Sequence, residues 1–289
     1  MRAVFQWSIG TRTLELGKRT LIMGVVNVTP DSFSDGGLYL DSEKAVAHAL
    51  QLLDEGADII DVGGESTRPG AKVTVTAEEE LRRVLPVITA LKKQRPAAVI
   101  SIDTYKAGVA RAAVAAGADI VNDVSGLRWD AQMARTIAEI KCGAILMHMR
   151  GRPEEWRSLP PPSDIVLLVK RELRDWVEAA ALAGVRRERI ALDPGFGFGK
   201  NFEQNYPLLA RFQDLQSLGF PLLAGSSRKS FLGRMLAKGG KDAAVEDRLY
   251  GNLAVHTALI FKGAHILRTH DVKASVEAAR VADAILEAR

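Results

Sequence analysis

The sequence predicts a single α/β domain with the (β/α)8 architecture of a TIM barrel. One observation is a pattern that recurs along the chain. A helical segment is followed by a glycine, a short apolar run and a polar residue, as at residues 56–61, 117–122, 143–148 and 263–268. The other is that eight apolar runs alternate with helical segments, and eight strand–helix units occupy about 250 residues in this architecture. We therefore expect one domain over residues 1–289.

The N-terminal residues predict a β-hairpin that precedes the barrel. Polar and apolar side chains alternate over residues 5–9 and 12–16, on either side of Gly10 and Thr11. A period of two is typical of a strand that is buried on one face, and glycine is favoured in a hairpin turn. We expect this hairpin to close the bottom of the barrel.

Eight barrel strands are predicted from short runs rich in Val, Ile and Leu. Most of these runs do not alternate, which is typical of parallel strands that are buried on both faces. Parallel strands that are each followed by a helix close into a barrel. The predicted strands are 21–26, 58–62, 99–102, 119–124, 144–148, 190–193, 222–225 and 265–268.

The segments between these strands show helical periodicity. Apolar residues recur three and four positions apart within 45–53 and 81–91, so they line one face of a helix. Further helices are predicted over 166–183, 208–218 and 272–286. Each glycine of the recurring pattern is predicted to adopt the left-handed conformation that ends a helix, since glycine has no Cβ to clash there.

A doubly wound open sheet is the alternative for a chain of alternating strands and helices. That architecture usually has a glycine-rich phosphate-binding turn after its first strand. Residues 27–30 (NVTP) follow the first barrel strand and contain no glycine. The barrel is therefore the favoured prediction.

Composition and charge argue against several classes of protein. The 289 residues are 47% hydrophobic and 26% charged, which is typical of a globular protein. The net charge is +4, but acidic residues are interspersed with the basic ones, so we expect no nucleic-acid partner. No apolar run is long enough to span a membrane, and the N-terminus does not resemble a secretory signal. The one cysteine, Cys142, favours a reducing, cytoplasmic location and is expected to be a buried apolar residue.

Polar residues end all eight predicted barrel strands. The carboxyl ends of barrel strands meet at one mouth, where active sites lie in this fold, so these residues are candidates for a single site. Each of them could instead cap a helix or be a satisfied buried polar residue. They are Asn27, Asp61, Asp103, Asn122, Asp123, His148, Asp193, Ser226, Ser227, Arg268 and His270.

These residues divide by chemistry. Asp103, Asn122 and Asp193 suit the edge of a polar heterocycle, where paired hydrogen bonds discriminate strongly between ligands. Arg268 and His270 suit an anion, as do residues 226–230 (SSRKS), which open a helix. Loops after the seventh and eighth strands often bind phosphate in barrels. Oxygen ligands and phosphate would favour Mg²⁺ as the metal.

Four loops differ in what they predict. Residues 27–40 and 64–77 are long and rich in Gly, Pro, Ser and Asp, which favours lids or binding loops. Residues 150–163 include three consecutive prolines and are expected to form a rigid spacer. Residues 195–200 (GFGFGK) lack the spacing of nucleotide-binding loops, so Phe198 is expected to be an aromatic platform.

Two of these loops carry motifs that resemble the dihydropteroate synthase family. The motifs are NVTPDSFSDGG at 27–37 and DVGGESTRPG at 61–70. The resemblance covers the chain from about residue 20, with no departure at any motif position. It continues through SIDT at 101–104, VNDVSG at 121–126, LMHM at 146–149, DPGFGFGK at 193–200, SRKS at 227–230 and RTHDV at 268–272.

This resemblance implies a barrel transferase of folate biosynthesis. Such an enzyme joins 4-aminobenzoate to 6-hydroxymethyl-7,8-dihydropterin diphosphate and gives 7,8-dihydropteroate and pyrophosphate. The resemblance further implies Mg²⁺ as a cofactor, a homodimer, and competition by sulfonamide drugs at the aminobenzoate site. There the aminobenzoate carboxylate would meet the start of the helix after the seventh strand.

The resemblance also implies roles for individual residues. Asp103 and Lys229 would be catalytic, and Asn27 would bind Mg²⁺. Pterin would contact Asp103, Asn122, Met147, Asp193, Lys229 and Arg268. The diphosphate would contact Asn27, Thr67, Arg68, Arg268 and His270. Aminobenzoate would contact Phe33, Thr67, Pro69, Phe198 and Ser230.

Three other functions remain open from the sequence. A pterin-binding barrel that transfers methyl groups from methyltetrahydrofolate to a corrinoid would share the pterin pocket but need no diphosphate site. An aldolase could form a Schiff base through Lys229. A non-catalytic relative could bind pterin without turnover.

Overall fold

The chain folds into a hairpin followed by a barrel of eight parallel strands. The structure, a computed structural model, describes residues 2–29, 37–65, 75–156 and 158–288. The hairpin strands are β1 (Phe5–Ile9) and β2 (Arg12–Leu16). The barrel strands are β3 (Leu21–Asn27), β4 (Ile59–Gly63), β5 (Val99–Asp103), β6 (Ile120–Asp123), β7 (Gly143–Met147), β8 (Ile190–Asp193), β9 (Leu223–Ala224) and β10 (Ile266–Thr269).

The strand order closes the barrel. The strands are arranged in the order β8-β7-β6-β5-β4-β3-β10-β9. Strands that follow one another in the chain are adjacent from β3 to β8 and from β9 to β10, and β10 also pairs with β3. The two ends of this sheet meet through a parallel bridge between Leu192 and Leu222, and the Leu192 N–H donates to the Pro221 carbonyl (2.9 Å). The predicted (β/α)8 architecture is therefore confirmed, and the open doubly wound sheet is excluded.

Helices surround the barrel on its outer face. They are α1 (Gly37–Asp54), α2 (Ala77–Gln94), α3 (Ala107–Ala115), α4 (Met133–Ile140), α5 (Ile165–Leu182), α6 (Phe202–Ala210), α7 (Ser230–Met235), α8 (Leu249–Phe261) and α9 (Val272–Glu287). Short 3-10 helices lie at Arg187–Arg189, Phe212–Leu218 and Glu246–Arg248. In the described part of the chain, no helix is both long and apolar enough to cross a membrane.

The prediction of one helix over 208–218 is wrong. Asn201 caps α6 earlier, because its side chain accepts the Gln204 N–H (3.0 Å) while the Gln204 side chain accepts the Asn201 N–H (3.0 Å). Two orphan N–H groups are thereby satisfied at the helix start. The α-helix ends at Ala210, and the residues after Arg211 continue as a 3-10 helix.

The predicted left-handed helix caps are confirmed at Gly56, Gly117 and Gly263, which have φ of +103°, +116° and +96°. The same prediction is wrong at Gly143, which is the first residue of β7. There, Lys141 adopts the left-handed conformation at the end of α4, with φ of +56°. A side chain other than glycine tolerates this conformation at some cost, so the pattern does not identify the cap uniquely.

The hairpin closes the bottom of the barrel, as predicted. Trp7, Ile9 and Leu16 are buried against the first residues of the barrel strands. The Trp7 Nε1–H also donates to the Arg189 carbonyl (2.8 Å), ahead of β8. Every barrel strand contributes to this cluster, through Leu21, Met23, Ile59, Val99, Ile120, Ile145, Ala191, Leu223 and Ile266.

Cys142 is buried between the barrel and the helices, as expected for an apolar residue. Burial raises the pKa of its thiol to about 12. Since the thiolate is the nucleophilic form, this side chain is inert near neutral pH.

Candidate active site at the mouth of the barrel

Four strands bring an ion-pair network to the carboxyl end of the barrel. Arg268 in β10 donates from Nε to Asp61 Oδ2 (2.6 Å) and from a terminal nitrogen to Asp103 Oδ2 (2.7 Å). The Asn122 amide in β6 donates to the same Asp61 oxygen (3.0 Å). Asp61 and Asn122 are buried, whereas the Arg268 side chain is 22% exposed. Part of the Arg268 side chain is therefore accessible from the mouth.

The charges in this network shift one another's pKa. Burial raises the pKa of Asp103 to about 7, although Arg268 opposes the shift. Burial also disfavours the charged form of Arg268, but Asp61 and Asp103 outweigh that effect and raise the pKa of Arg268. The mouth thus combines a fixed positive charge with a carboxyl group that titrates near neutral pH.

Asp193 and Lys229 form a second polar group beside the first. Asp193 is buried at the end of β8, where its Oδ1 accepts the Gly195 N–H (2.7 Å), and burial raises its pKa. Burial lowers the pKa of Lys229 to about 8, although Asp193 opposes the shift. Gly225 lies between the two groups, since a Cβ there would stand 3.7 Å from Arg268 Cβ and 4.0 Å from Asp193 Oδ2.

The loop after β8 places an aromatic ring under Lys229. Lys229 Nζ donates to the Phe196 carbonyl and lies 4.5 Å from the centre of the Phe198 ring. Such a cation over a ring face is attracted by the negative charge of the π system. Phe198 therefore forms a half-buried surface that continues from the charged groups.

Apolar and sulfur-containing side chains form one wall of the mouth. Met147 clusters with Val124 and Met149, and half-buried aromatic rings pack against them. Among these, Trp156 meets Phe198 edge to face, with ring centres 5.9 Å apart. Residues 150–163, which we expected to be only a spacer, thus contribute to the wall.

Asn27 and His270 lie on the rim. A Cβ at Gly63 would stand 3.9 Å from Asn27 Oδ1 and 3.8 Å from Asp103 Oδ2, so Asn27 and Asp103 flank this glycine. His270 Nδ1 is 3.1 Å from the Ser227 hydroxyl, and its backbone N–H donates to the same oxygen (3.2 Å). A cavity of about 250 Å³ lies beside His270 between α1, α8 and α9.

Ser230 opens onto a larger cavity of about 490 Å³ between the starts of α6 and α7. Gly197, Phe231 and Arg234 also line this cavity, so it adjoins the loop that carries Phe198. The other predicted contacts of an aminobenzoate and of a diphosphate lie outside the described residues. They are Phe33, Thr67, Arg68 and Pro69.

The prediction that all strand-end polar residues converge on the mouth is wrong for three of them. Successive side chains in a strand point to opposite faces, so the neighbour of an inward residue faces the helices. Asp123 beside Asn122 accepts the Ser125 and Leu127 N–H groups. His148 is 2.9 Å from Glu172 of α5, and Ser226 donates to Asn252 of α8 (2.9 Å).

Sequence reasoning missed two residues of the site. It placed Asp61 at a strand end but gave it no role, although Asp61 accepts hydrogen bonds from both Arg268 and Asn122. The GFGFGK segment was not predicted to bind a nucleotide, and no pattern indicated that Lys200 is buried beneath that loop. Strand alternation could have identified Asp61, but only the fold identifies Lys200.

Oxygen atoms at the rim suit a magnesium ion that takes most of its ligands from a substrate. Among the residues that the structure describes, no three His, Cys, Asp or Glu side chains are grouped so as to hold a metal. Asn27 and Asp103 nevertheless place oxygens on both sides of Gly63. Mg²⁺ is usually held by one or two protein oxygens together with phosphates and water, so this donor set fits.

Comparisons with known proteins point to one family. Residues 23–270 match the family described as pterin binding enzyme. The chain is 44% identical over 277 residues to dihydropteroate synthase of Synechocystis sp., an alignment that covers 96% of this chain and 94% of the relative.

Two solved structures of the Xanthomonas albilineans dihydropteroate synthase are also similar to the chain. The structure with 4-aminobenzoic acid has a TM-score of 0.89 at 45% identity and covers 98% of this chain and 99% of that one. The structure with 7,8-dihydropteroate has a TM-score of 0.83 at 44% identity and covers 94% and 96%.

Proposed function

We infer the reaction from the premise that this chain belongs to the pterin-binding enzyme family and, within it, to the dihydropteroate synthases. It is a transferase that condenses 4-aminobenzoate with 6-hydroxymethyl-7,8-dihydropterin diphosphate and releases pyrophosphate. The resemblance found in the sequence is thereby confirmed. Each step of this reaction can be assigned to residues of the mouth.

The network around Arg268 is the observation that carries this assignment. Hydrogen-bond donors and acceptors, as the edge of a pterin ring requires, come from three strand ends and from the residue before α7, namely Asp103, Asn122, Asp193 and Lys229. Met147 and the planar guanidinium of Arg268 would pack on the faces of the ring. A ligand that makes several such hydrogen bonds is discriminated strongly from one that lacks them.

The carboxylate of Asp103 has a catalytic role in this assignment. When diphosphate leaves, positive charge develops on the pterin methylene carbon and is delocalised into the ring. An ionised Asp103 beside that ring stabilises the charge, and Arg268 keeps the carboxylate in place (2.7 Å). The neutral amine of aminobenzoate is already a nucleophile, so the reaction needs no strong general base.

The leaving diphosphate is assigned to the rim. Arg268 and His270 supply cationic or donor groups there, Asn27 would supply a ligand for Mg²⁺, and Thr67 and Arg68 complete the predicted set. A bound Mg²⁺ would neutralise charge on the departing diphosphate. The rim residues would hold the diphosphate as its bond to the pterin methylene carbon breaks.

Aminobenzoate is assigned to the cavity beside the loop after β8. Phe198 offers a ring face and Ser230 lines the cavity of about 490 Å³, where the substrate carboxylate would meet the start of α7. Phe33, Thr67 and Pro69 are the remaining predicted contacts. In this arrangement the amine would point toward Lys229 and the pterin.

A homodimer and a cytoplasmic location complete the proposal. Helix α9 exposes Val281 and Ile285, which are four residues apart and therefore share one face of the helix. A second copy that covers such a face would remove it from water, and light scattering tests this by giving twice the mass of the chain. A single buried thiol, Cys142, suits a reducing compartment.

One experiment tests the proposed function directly. The protein is incubated with Mg²⁺, 4-aminobenzoate and the pterin diphosphate, and pyrophosphate and dihydropteroate are measured together. We expect equal amounts of the two products, with loss of both when aminobenzoate is omitted and a strong decrease when Mg²⁺ is chelated. Pterin binding without either product would instead identify a non-catalytic relative.

A further inference from the structure

A buried lysine holds the loop after β8 from below. Lys200 is only 6% exposed, and its Nζ donates to the carbonyl oxygens of Gly195 (2.9 Å) and Phe198 (3.1 Å) within that loop. The same nitrogen lies 3.2 Å from the carbonyl oxygen of His148 and 2.9 Å from its Nδ1. Four acceptors therefore surround Nζ, so each hydrogen that it carries has a partner, while burial lowers the pKa of Lys200 well below its usual value.

His148 extends this contact outward to the helix layer. Its Nε2 is 2.9 Å from Glu172 Oε2 in α5, and its ring stacks on Trp176 at 5.1 Å between ring centres. Burial lowers the pKa of His148 to about 3, so the ring is neutral. A neutral ring that donates to Glu172 from Nε2 has a lone pair on Nδ1, and Lys200 supplies the hydrogen for it. The three side chains thus form one hydrogen-bonded chain from α5 to the loop.

Two further hydrogen bonds hold the same loop through its N–H groups. Asn205 of α6 accepts the Gly197 N–H (2.7 Å), while Asp193 accepts the Gly195 N–H (2.7 Å). These bonds hold N–H groups of the loop, whereas Lys200 holds its carbonyls. The loop in turn carries the Phe196 carbonyl and the Phe198 ring, which both contact Lys229.

We propose that Lys200 is a positioning residue for the condensation, because it holds the loop that presents Phe198 and the Phe196 carbonyl to Lys229. Lys200 also lines the cavity of about 490 Å³, but its Nζ is enclosed by protein acceptors, so this group acts through the loop and not on the substrates. The inference rests on the proposed function, since it assigns Phe198 to aminobenzoate and Lys229 to pterin. The chain Glu172–His148–Lys200 is the means by which α5 supports the active site.

A double-mutant cycle tests this proposal. Lys200→Met keeps the aliphatic stem but removes the N–H donors of Nζ. We expect the KM for aminobenzoate to rise about tenfold, because the ring that frames this substrate is displaced. In a Phe198→Ala background, the same substitution should change that KM less than about twofold, since the ring through which Lys200 acts is gone. Equal increases in the two backgrounds would overturn the proposal.

A matched control separates positioning from general loss of stability. His265 is buried at the opposite end of the barrel, where its Nδ1 accepts the Leu222 N–H (3.1 Å) and its Nε2 donates to the Ala3 carbonyl (3.0 Å). His265→Ala should lower the melting temperature while the KM for aminobenzoate changes less than about twofold. An increase in KM as large as that of Lys200→Met would show that Lys200 is merely structural.

A measurement that needs no turnover distinguishes this inference from the proposed function. Amide hydrogen exchange at Gly197 and Phe198 should become about tenfold faster in Lys200→Met, with protection in β8 unchanged. Unchanged exchange in the loop overturns the inference even if the enzyme is active. A wild-type chain that forms no dihydropteroate overturns the proposed function, and the exchange result still decides the role of Lys200.

A milder variant covers the case in which Lys200→Met does not fold. Glu172, whose side chain is 31% exposed, is the outermost of the three hydrogen-bonded side chains. Glu172→Gln therefore weakens the hydrogen bond to His148 without leaving a buried charge. We expect a smaller rise in the KM for aminobenzoate, of about threefold, which Phe198→Ala again abolishes. A KM that stays at the wild-type value would contradict the proposed chain.

Discussion

Arg268 holds two carboxylates at once, and this double contact organises the mouth. Its guanidinium spans Asp61 in β4 and Asp103 in β5, and the Asp61 side chain is fully buried. A buried ion pair that loses one partner leaves an uncompensated charge, which typically costs about 3–5 kcal/mol. The contact therefore favours the ionised form of Asp103, which burial disfavours.

The pKa values at the mouth predict a narrow pH optimum. Asp103 acts as a carboxylate, and its raised pKa of about 7 means that activity falls as the pH drops below this value. Lys229 acts as an ammonium, and its lowered pKa of about 8 means that activity falls as the pH rises above that value. We expect a bell-shaped profile of kcat/KM for the pterin diphosphate, which reports the free enzyme.

The conservative variant Lys229→Arg checks the alkaline side of this profile. Arginine stays charged throughout the accessible range, so the fall above pH 8 should disappear while the acid side remains. Because both proteins are assayed with the same substrates, ionisation of the substrates affects both profiles equally. An alkaline limb that persists in Lys229→Arg would assign it to another group.

The loop between β8 and α6 depends on glycines with positive φ. Gly195 has φ of +64°, and a Cβ there would stand 1.9 Å from the His148 carbonyl oxygen. Gly197 also has a positive φ, of +81°, but a Cβ there would meet only Lys229 Cδ at 3.5 Å. The two glycines therefore share a backbone conformation but differ in the space around them.

This difference predicts unequal effects of two alanine substitutions. Gly195→Ala must move the loop away from β7, so we expect a loss of kcat/KM of about a hundredfold. Gly197→Ala adds only the strain of a positive φ, about 1 kcal/mol, and should lower kcat/KM by less than about tenfold. Steady-state kinetics together with the urea midpoint of each variant measure both effects. Equal losses of activity would mean that the close approach at His148 is unimportant.

Local patterns predicted some elements better than others. The eight strands were found within two residues of their ends because each is a short apolar run that is buried on both faces. The break after Ala210 and the left-handed Lys141 were missed, since they depend on hydrogen bonds that no hydrophobic period reveals. His148 was assigned to the wrong face because it follows Met147, which lines the mouth, and successive side chains point to opposite faces.

The bottom of the barrel stabilises the fold, whereas the mouth carries the residues assigned to the reaction. The bottom is closed by apolar residues from every barrel strand and from the hairpin, whereas the mouth gathers buried charges. Glycine-rich motifs and strand-end polar residues identified the mouth from the sequence. The pairing of Asp61 with Arg268 could not be predicted, because it joins side chains that are 207 residues apart in the chain.

We therefore expect a substitution at the bottom of the barrel to lower the free energy of unfolding without lowering kcat. Trp7 is 1% exposed, and Trp7→Ala removes both its packing and its hydrogen bond to Arg189. We expect the free energy of unfolding to fall by about 3–5 kcal/mol, as measured by urea denaturation. At temperatures well below melting, kcat should change less than about twofold. A large fall in kcat with the fold intact would show that the hairpin influences the mouth.

The buried thiol of Cys142 makes the native chain a clean background for spectroscopic labelling. It is the one cysteine in the sequence, and its burial keeps it from reacting with maleimide or methanethiosulfonate probes while the protein is folded. A cysteine introduced at an exposed position, such as Glu154→Cys beside Trp156, would then take up one fluorophore or spin label per chain. The arrival of each substrate could be followed from that single reporter.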